Sequence, residues 1–285
     1  VTDGTYGAVG LDFKSPHTGL AAKKVWFFFD KTYVCLGTNI SSRMKNQVLT
    51  TVNQCPLNGE VTVSDADGIH PQELGSRMKK EVRWVVHDKV GYYFLKKENV
   101  ILSNQHMEGS WKIANRQTTT PTDIIRQDVF TLSIDHGSSP NNGGYAYMVI
   151  PSSDPQSIEK KVEEEGVVIL ANCPDLQAVR HGGLNMAYAV FYKGGTLQVH
   201  DKIVVEMDSP GMLMVKYNDV GEILALGVSD PTRFMKKLHL SVNQKIVWPA
   251  QENIQTEWDE KQALTRISVD LPQNEYAGKS VIYNK

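Results

Sequence analysis

Two strongly apolar runs, Val25–Phe29 and Tyr33–Leu36, flank a three-residue polar break at Asp30, Lys31 and Thr32. Their residues are β-branched or aromatic, and so short a break predicts a hairpin rather than a helix. Period-two alternation is absent, because Trp26, Phe27, Phe28 and Phe29 would occupy both faces of a strand. A strand apolar on both faces needs cover on both, which predicts a hairpin between two packed layers. Val82–His87 repeats the pattern, and the Asp88-Lys89 break leads straight into Gly91–Leu95. Further strand patterns fall at Gln47–Val52, Glu60–Ser64, Val100–Ser103 and Trp111–Ala114, with Gly, Asn, Pro and Asp in the gaps. Many short strands without intervening amphipathic helices predict an all-β sandwich.

In Asp128–Pro151, Phe130, Leu132, Ile134 and His136 share one strand face, and Thr131, Ser133 and Asp135 the other. A Gly137–Gly144 loop then leads to a second strand, Tyr145–Ile150. His136 invites a catalytic reading, but Asp135 points to the opposite face and cannot easily orient the ring. A structural histidine at a strand end, bonding loop backbone, is the better expectation. Between Ser152 and Gly166 lies one helix candidate, with Asp154 as cap, Pro155 as first helical residue and Gly166 as stop. Ile158 and Val162 supply its apolar stripe, and Glu163–Glu165 reads as a solvated face. This short helix is a natural domain joint.

Beyond it strand patterns resume, among them Val167–Leu170, Ala187–Tyr192, Ile203–Met207, Met212–Tyr217 and Ile246–Trp248. In Leu264–Leu271, Ile267, Val269 and Leu271 alternate cleanly with Arg266, Ser268 and Asp270, as in a sandwich half exposed to water. Together these predict residues 1–165 as one β domain and residues 166–285 as a smaller antiparallel β-sandwich.

The chain has 285 residues, 41% hydrophobic and 22% charged, which is ordinary for a globular protein. Net charge is −2, from 30 basic against 32 acidic residues, so no global basic field exists to hold nucleic acid. No run approaches the ~20 apolar residues of a membrane span. Val1-Thr2-Asp3-Gly4 lacks a Met, a charged n-region and an apolar h-region, and reads as the middle of a longer or processed chain. Cys35, Cys55 and Cys173 form no CxxC pair, and no ligand spacing predicts a metal site in this chain. Cys35, inside the apolar hairpin, reads as a core residue. The Gly-rich opening is not a phosphate loop, since it lacks GK[ST] and no helix follows.

The stretches WFFFDKTYVCLG, VGYYFL, SIDHGSSPNNGGYAYMVIP and VVILANCPDLQAV resemble polysaccharide lyase family 8. That family holds chondroitin AC, hyaluronate and xanthan lyases, and the likeness is greatest to the chondroitin AC lyases. The resemblance implies an N-terminal α/α toroid, a central β-supersandwich and a smaller C-terminal β-sandwich. Residues 1–165 would then be the latter part of the supersandwich. It also implies β-elimination on uronic-acid polysaccharides such as chondroitin sulfate or hyaluronan, with catalytic Asn, His, Tyr and Arg all on the helical domain. No position here matches that motif, so no catalytic residue is assigned to this chain. Calcium in the full-length enzyme, the toroid as intramolecular partner, and a periplasmic or secreted address are likewise implications of the resemblance.

Within the chain, His87, Tyr92, Tyr93, Arg83 and His181 compose an elimination site on paper, although buried strand tyrosines are the simpler expectation. A carbohydrate-binding or purely structural β-module is the rival of a different class. Trp84, Trp111, Trp248 and Trp258 are its candidate sugar platforms. Trp84 is expected in the core, and Trp248 and Trp258 lie in the most polar settings.

Overall fold

Most of the apolar runs form strands in the computed structural model, which describes residues 1–285. The first ten are β1 (Gly7–Lys14), β2 (Ala21–Phe28), β3 (Tyr33–Ser41), β4 (Gln47–Pro56), β5 (Val61–Asp65), β6 (Gly68–Pro71), β7 (Gly75–His87), β8 (Val90–Gly109), β9 (Ile125–Ser138) and β10 (Gly143–Pro151). They form one antiparallel sheet with the path β1-β2-β3-β10-β8-β7-β5-β6, while β9 pairs with β8 and β4 with β9. β8 carries the chain between two layers: its Val90–Phe94 part pairs with β10, and its Val100–Gly109 part pairs with β9. Register shifts in β7 between Lys79 and Trp84, with Glu81 at φ 53°, let its partner bend with it.

The remaining strands are β11 (Val167–Cys173), β12 (Leu176–His181), β13 (Met186–Phe191), β14 (Gly195–His200), β15 (Ile203–Met207), β16 (Gly211–Tyr217), β17 (Ile223–Ser229), β18 (Lys237–Val242), β19 (Ile254–Asp259), β20 (Leu264–Asp270) and β21 (Val281–Asn284). One sheet has the order β11-β12-β13-β16-β17-β21, and the other β14-β15-β18-β20-β19. All pairings are antiparallel. No helix is long and apolar enough to cross a membrane.

Three hydrophobic cores separate four layers. Cys35, Phe94, Tyr147, Phe130, Leu132 and Ile134 belong to the core inside the folded ten-stranded sheet. Val25, Phe27, Leu36 and Met148, on the other face of the same hairpin layer, pack with Met186, Tyr188 and Val190 of the six-stranded sheet. That sheet's reverse face, including Ala187, Ala189 and Phe191, packs with Leu197, Val205 and Ile267 of the five-stranded sheet. The double cover predicted for Val25–Leu36 is therefore present. β13 shows the same logic: all six of its residues are buried.

Local chemistry sets the connections. Asp88 and Lys89, at φ 47° and 62°, form the two-residue turn between His87 and Val90, a right-twisting hairpin turn without the usual glycine. Gly37 has no substitute, because a Cβ there would stand 2.1 Å from the Tyr145 ring. The β2–β3 loop runs Phe29–Thr32, one residue longer than the polar break, closed by the Phe29 amide donating to the Thr32 carbonyl at 3.0 Å.

Three expectations are corrected. Trp111–Ala114 is one helical turn, α1, not a strand; Ser110 caps it by accepting the Lys112 amide at 3.2 Å. Ile246–Trp248 belongs to no strand; Thr265 Oγ1 takes the Ile246 amide at 3.0 Å in place of a ladder bond. The joint helix, α2 (Ile158–Glu165), begins later than the Asp154–Pro155 signal. Asp154 instead accepts the Gln156 and Ser157 amides at 3.0 and 2.8 Å, using its cap in a preceding turn. Gly166 ends the helix as expected, in the left-handed conformation at φ 57°.

Ile158 is fully buried and Val162 packs on the same core, while Glu159 accepts the indole N–H of buried Trp84 at 3.0 Å. Trp84 is thus a core residue with its one donor satisfied. Ile158→Ala should cost about 2–5 kcal/mol, read as a fall in the urea midpoint. Phe28→Ala, at a half-exposed position, should shift the midpoint far less.

Candidate functional site

The residues composing an elimination site on paper are divided by the sheet that carries them. His87 and Tyr92 face the inner core, where the His87 ring stacks on Phe130 at 4.4 Å. Tyr93 faces the opposite core, with the Arg83 guanidinium 5.2 Å from its ring centre. His181 sits in β12 of another sheet, 4.6 Å from the Phe29 ring. These five side chains do not surround a common space. Burial, partly offset by the amide of Asn53 at 2.5 Å, pushes the Tyr92 hydroxyl up to about 12.

His87 does lie beside a thiol, with Nδ1 3.7 Å from Cys55 Sγ. Its Nε2 accepts the Asn58 amide at 3.1 Å, so the neutral ring carries its proton on Nδ1 and cannot take one from the thiol there. Burial raises the Cys55 thiol above its ordinary value, the reverse of what a nucleophile requires. Cys35 is a buried core thiol, pushed up to about 12 by burial. Cys55 and Cys173 are free.

His136 bonds the Thr50 hydroxyl of β4 through Nε2 at 2.9 Å, rather than loop backbone. Asp135, as its strand parity requires, points elsewhere and accepts the Gly137 amide at 2.8 Å. No three His, Cys, Asp or Glu side chains gather into a metal-sized cluster.

Two of the surface depressions are lined by clustered charged side chains. A cavity of about 520 Å³ lies at the joint, among Asp30, Lys31, Lys161, Glu165, His181 and Gly183. Its floor is the His181–Glu165 pair, Nε2 to Oε2 at 2.5 Å, with the Thr32 hydroxyl on the same carboxylate at 3.4 Å. This pair ties α2, β12 and the β2–β3 loop together. A shallower depression of about 650 Å³ covers the outer face of the five-stranded sheet, lined by Glu206, Asp208, His239, Ser241, Glu257 and Arg266. Its carboxylates disfavour a polyanion.

Trp258 lies near the end of β19, the edge strand of that sheet, half-buried, with Lys245 Nζ 5.7 Å from its ring. Trp248 is half-buried against the adjacent core, edge-on to Tyr283 at 4.7 Å between ring centres. Trp111 stands 60% exposed at the tip of the β8–β9 hairpin. Sequence reading passes over Phe234, the most exposed large apolar side chain at 89%. Only the absence of any strand pattern around it, in a Pro-, Arg- and Lys-rich stretch, sets it apart in the sequence.

Residues 1–162 match the super-sandwich domain of polysaccharide lyase family 8, and residues 168–239 the C-terminal β-sandwich domain of the same family. The chain belongs to polysaccharide lyase family 8. It is similar to Chondroitinase-AC of Pedobacter heparinus, 36% identical over 284 residues, which is 99% of this chain and 37% of that protein. Hyaluronate lyase of Thermasporomyces composti is 30% identical over 86% of this chain and 31% of its own length. A solved chondroitinase AC lyase superposes with a TM-score of 0.83 at 36% identity, covering 99% of this chain and 39% of that one. A Paenibacillus xanthan lyase shares the fold, with a TM-score of 0.85 at 24% identity, over 97% of this chain and 27% of that one. The chain thus spans roughly a third of the length of these relatives, and the family resemblance read from its motifs is confirmed.

Burial holds both His87 and His136 below the ordinary histidine value, only partly countered by Asp88 and Asp135. In the unfolded chain these rings protonate near ~6.5. As pH falls below that value the unfolded state gains protons that the fold refuses, so stability declines with acidification. His136→Gln keeps a hydrogen-bond partner for Thr50 and removes the titration. The drop in melting temperature from about pH 7 to about pH 5 should be smaller in this variant; an unchanged drop would contradict the assignment.

Proposed function

We propose that this chain is the non-catalytic β portion of a glycosaminoglycan lyase. Residues 1–165 form the latter part of its supersandwich and residues 166–285 its C-terminal sandwich. The full-length protein cleaves uronic-acid polysaccharides, chondroitin sulfate or hyaluronan, by β-elimination. The single observation carrying this reading is 36% identity with Chondroitinase-AC across 99% of the chain.

Elimination requires a group that neutralises the uronate carboxylate, a base for the C5 proton and an acid for the leaving oxygen. Those groups belong to an N-terminal α/α toroid, the intramolecular partner of this scaffold. The burial and separation of His87, Tyr92, Tyr93 and His181 support placing them there. Any calcium of the full-length enzyme is, on this reading, held outside this chain. The address of the enzyme is periplasmic or extracellular.

The competing reading is a carbohydrate-binding or purely structural module with no link to lysis. An assay of the absorbance of the new C4–C5 double bond separates the two. The 285 residues alone should give no turnover on chondroitin sulfate or hyaluronan, and the protein extended by the toroid should turn over one of them. Activity of the isolated chain would place the chemistry here; inactivity of the extended protein on both polymers would favour the module.

A further inference from the structure

Two loops at one end of the five-stranded sheet are zippered into a single surface. The first joins β17 to β18 through Asp230–Lys236, and the second joins β20 to β21 through Leu271–Ser280. The Leu271 amide donates to the Lys236 carbonyl at 2.8 Å, Gln273 Nε2 to the Met235 carbonyl at 3.1 Å, and Arg233 to the Asn274 carbonyl at 3.4 Å. Gly278, at φ 89°, permits the approach, since a Cβ there would lie 3.2 Å from Arg233 Cγ.

Asp230 makes the first loop rigid. Its buried carboxylate accepts the Thr232, Phe234 and Met235 amides at 2.8, 2.9 and 2.8 Å, and the Thr232 hydroxyl at 2.5 Å. Arg233 is held at φ 66°, a conformation that non-glycine residues adopt at a cost. This construction presents Phe234 at 89% exposure, and the second loop presents Tyr276 at 61%. Lys279 Nζ stands 6.0 Å from the Tyr276 ring centre. Arg233, Lys236 and Lys279 have no acidic partner within 4.0 Å, against one exposed carboxylate, Glu275.

We propose that these paired loops are a non-catalytic binding site for an acidic polysaccharide. The open faces of Phe234 and Tyr276 stack on sugar rings, and Arg233, Lys236 and Lys279 take the carboxylate or sulfate groups. Preformed aromatic faces bind with little ordering cost, and cations beside them supply the attraction that the carboxylate-lined depression on the same sheet lacks. The choice of ligand class rests on the lyase reading above, but the test does not depend on turnover.

Binding of the 285-residue chain to chondroitin sulfate and to hyaluronan, by calorimetry at low and moderate salt, decides the matter. Phe234→Ala should weaken binding about tenfold without lowering the melting temperature, because the ring is exposed. Arg233→Ala combined with Lys236→Ala should weaken it and flatten its salt dependence. Trp258→Ala should leave it unchanged. The proposal is overturned if the unaltered chain binds neither polymer, or if binding survives Phe234→Ala. Loss on Trp258→Ala instead would overturn it in favour of the β19 edge. In each of these cases the turnover test of the extended protein still stands.

Discussion

The structure depends on one constraint: its central strands are apolar on both faces and must be covered on both. Val25 and Phe27 look toward one core while Ala22 and Cys35 look toward another. A single sandwich would leave one of these faces wet. Four layers with three cores are the response, and each interior layer serves two cores at once. Burial at roughly 25 cal/mol per Å² of apolar surface makes this stacking the dominant favourable term. It also couples the parts, because the six-stranded sheet closes a core on each side.

That coupling limits what the interior side chains can do chemically. Tyrosines and histidines drawn into such strands are desolvated, so their ionised forms are disfavoured. Tyr92, His87 and His136 all shift in the direction burial dictates. Their polar atoms are engaged locally, by Asn53, the Asn58 amide and Thr50. Such groups help to hold strands in register. The outer faces and loops are where exposed aromatic and charged side chains remain open to solvent.

The joint shows how the layers are fastened. Ile158 inserts into the core between the hairpin layer and the six-stranded sheet, close enough that a Cβ on Gly91 would lie 2.7 Å from its Cδ1. Glu159 satisfies Trp84 and Glu165 satisfies His181. The charge run Glu163–Glu165 is therefore a solvated face only in part, since Glu165 is mostly buried against His181 and Thr32.

Most strands, the doubly covered hairpin, the Phe130–Ile134 face and the β20 alternation are legible in the sequence, because period and composition are local properties; β1, β6, β19 and β21, which lack a sustained apolar run, are not. The family was legible too, through contiguous motifs in the strands. The sequence alone does not fix the start of α2, because Asp154 and Pro155 are equally good signals for a turn, and only packing of Ile158 chooses where the helix begins. Trp111–Ala114 carries strand-like residues but lies at a hairpin tip, where no neighbour offers a ladder. Which aromatic rings face water was decided by tertiary structure alone: Trp248 finds Tyr283 across a core, while Phe234 is turned outward by bonds to Asp230. Exposure is a property of what lies opposite a residue in space, and nothing in the order of residues along the chain records that.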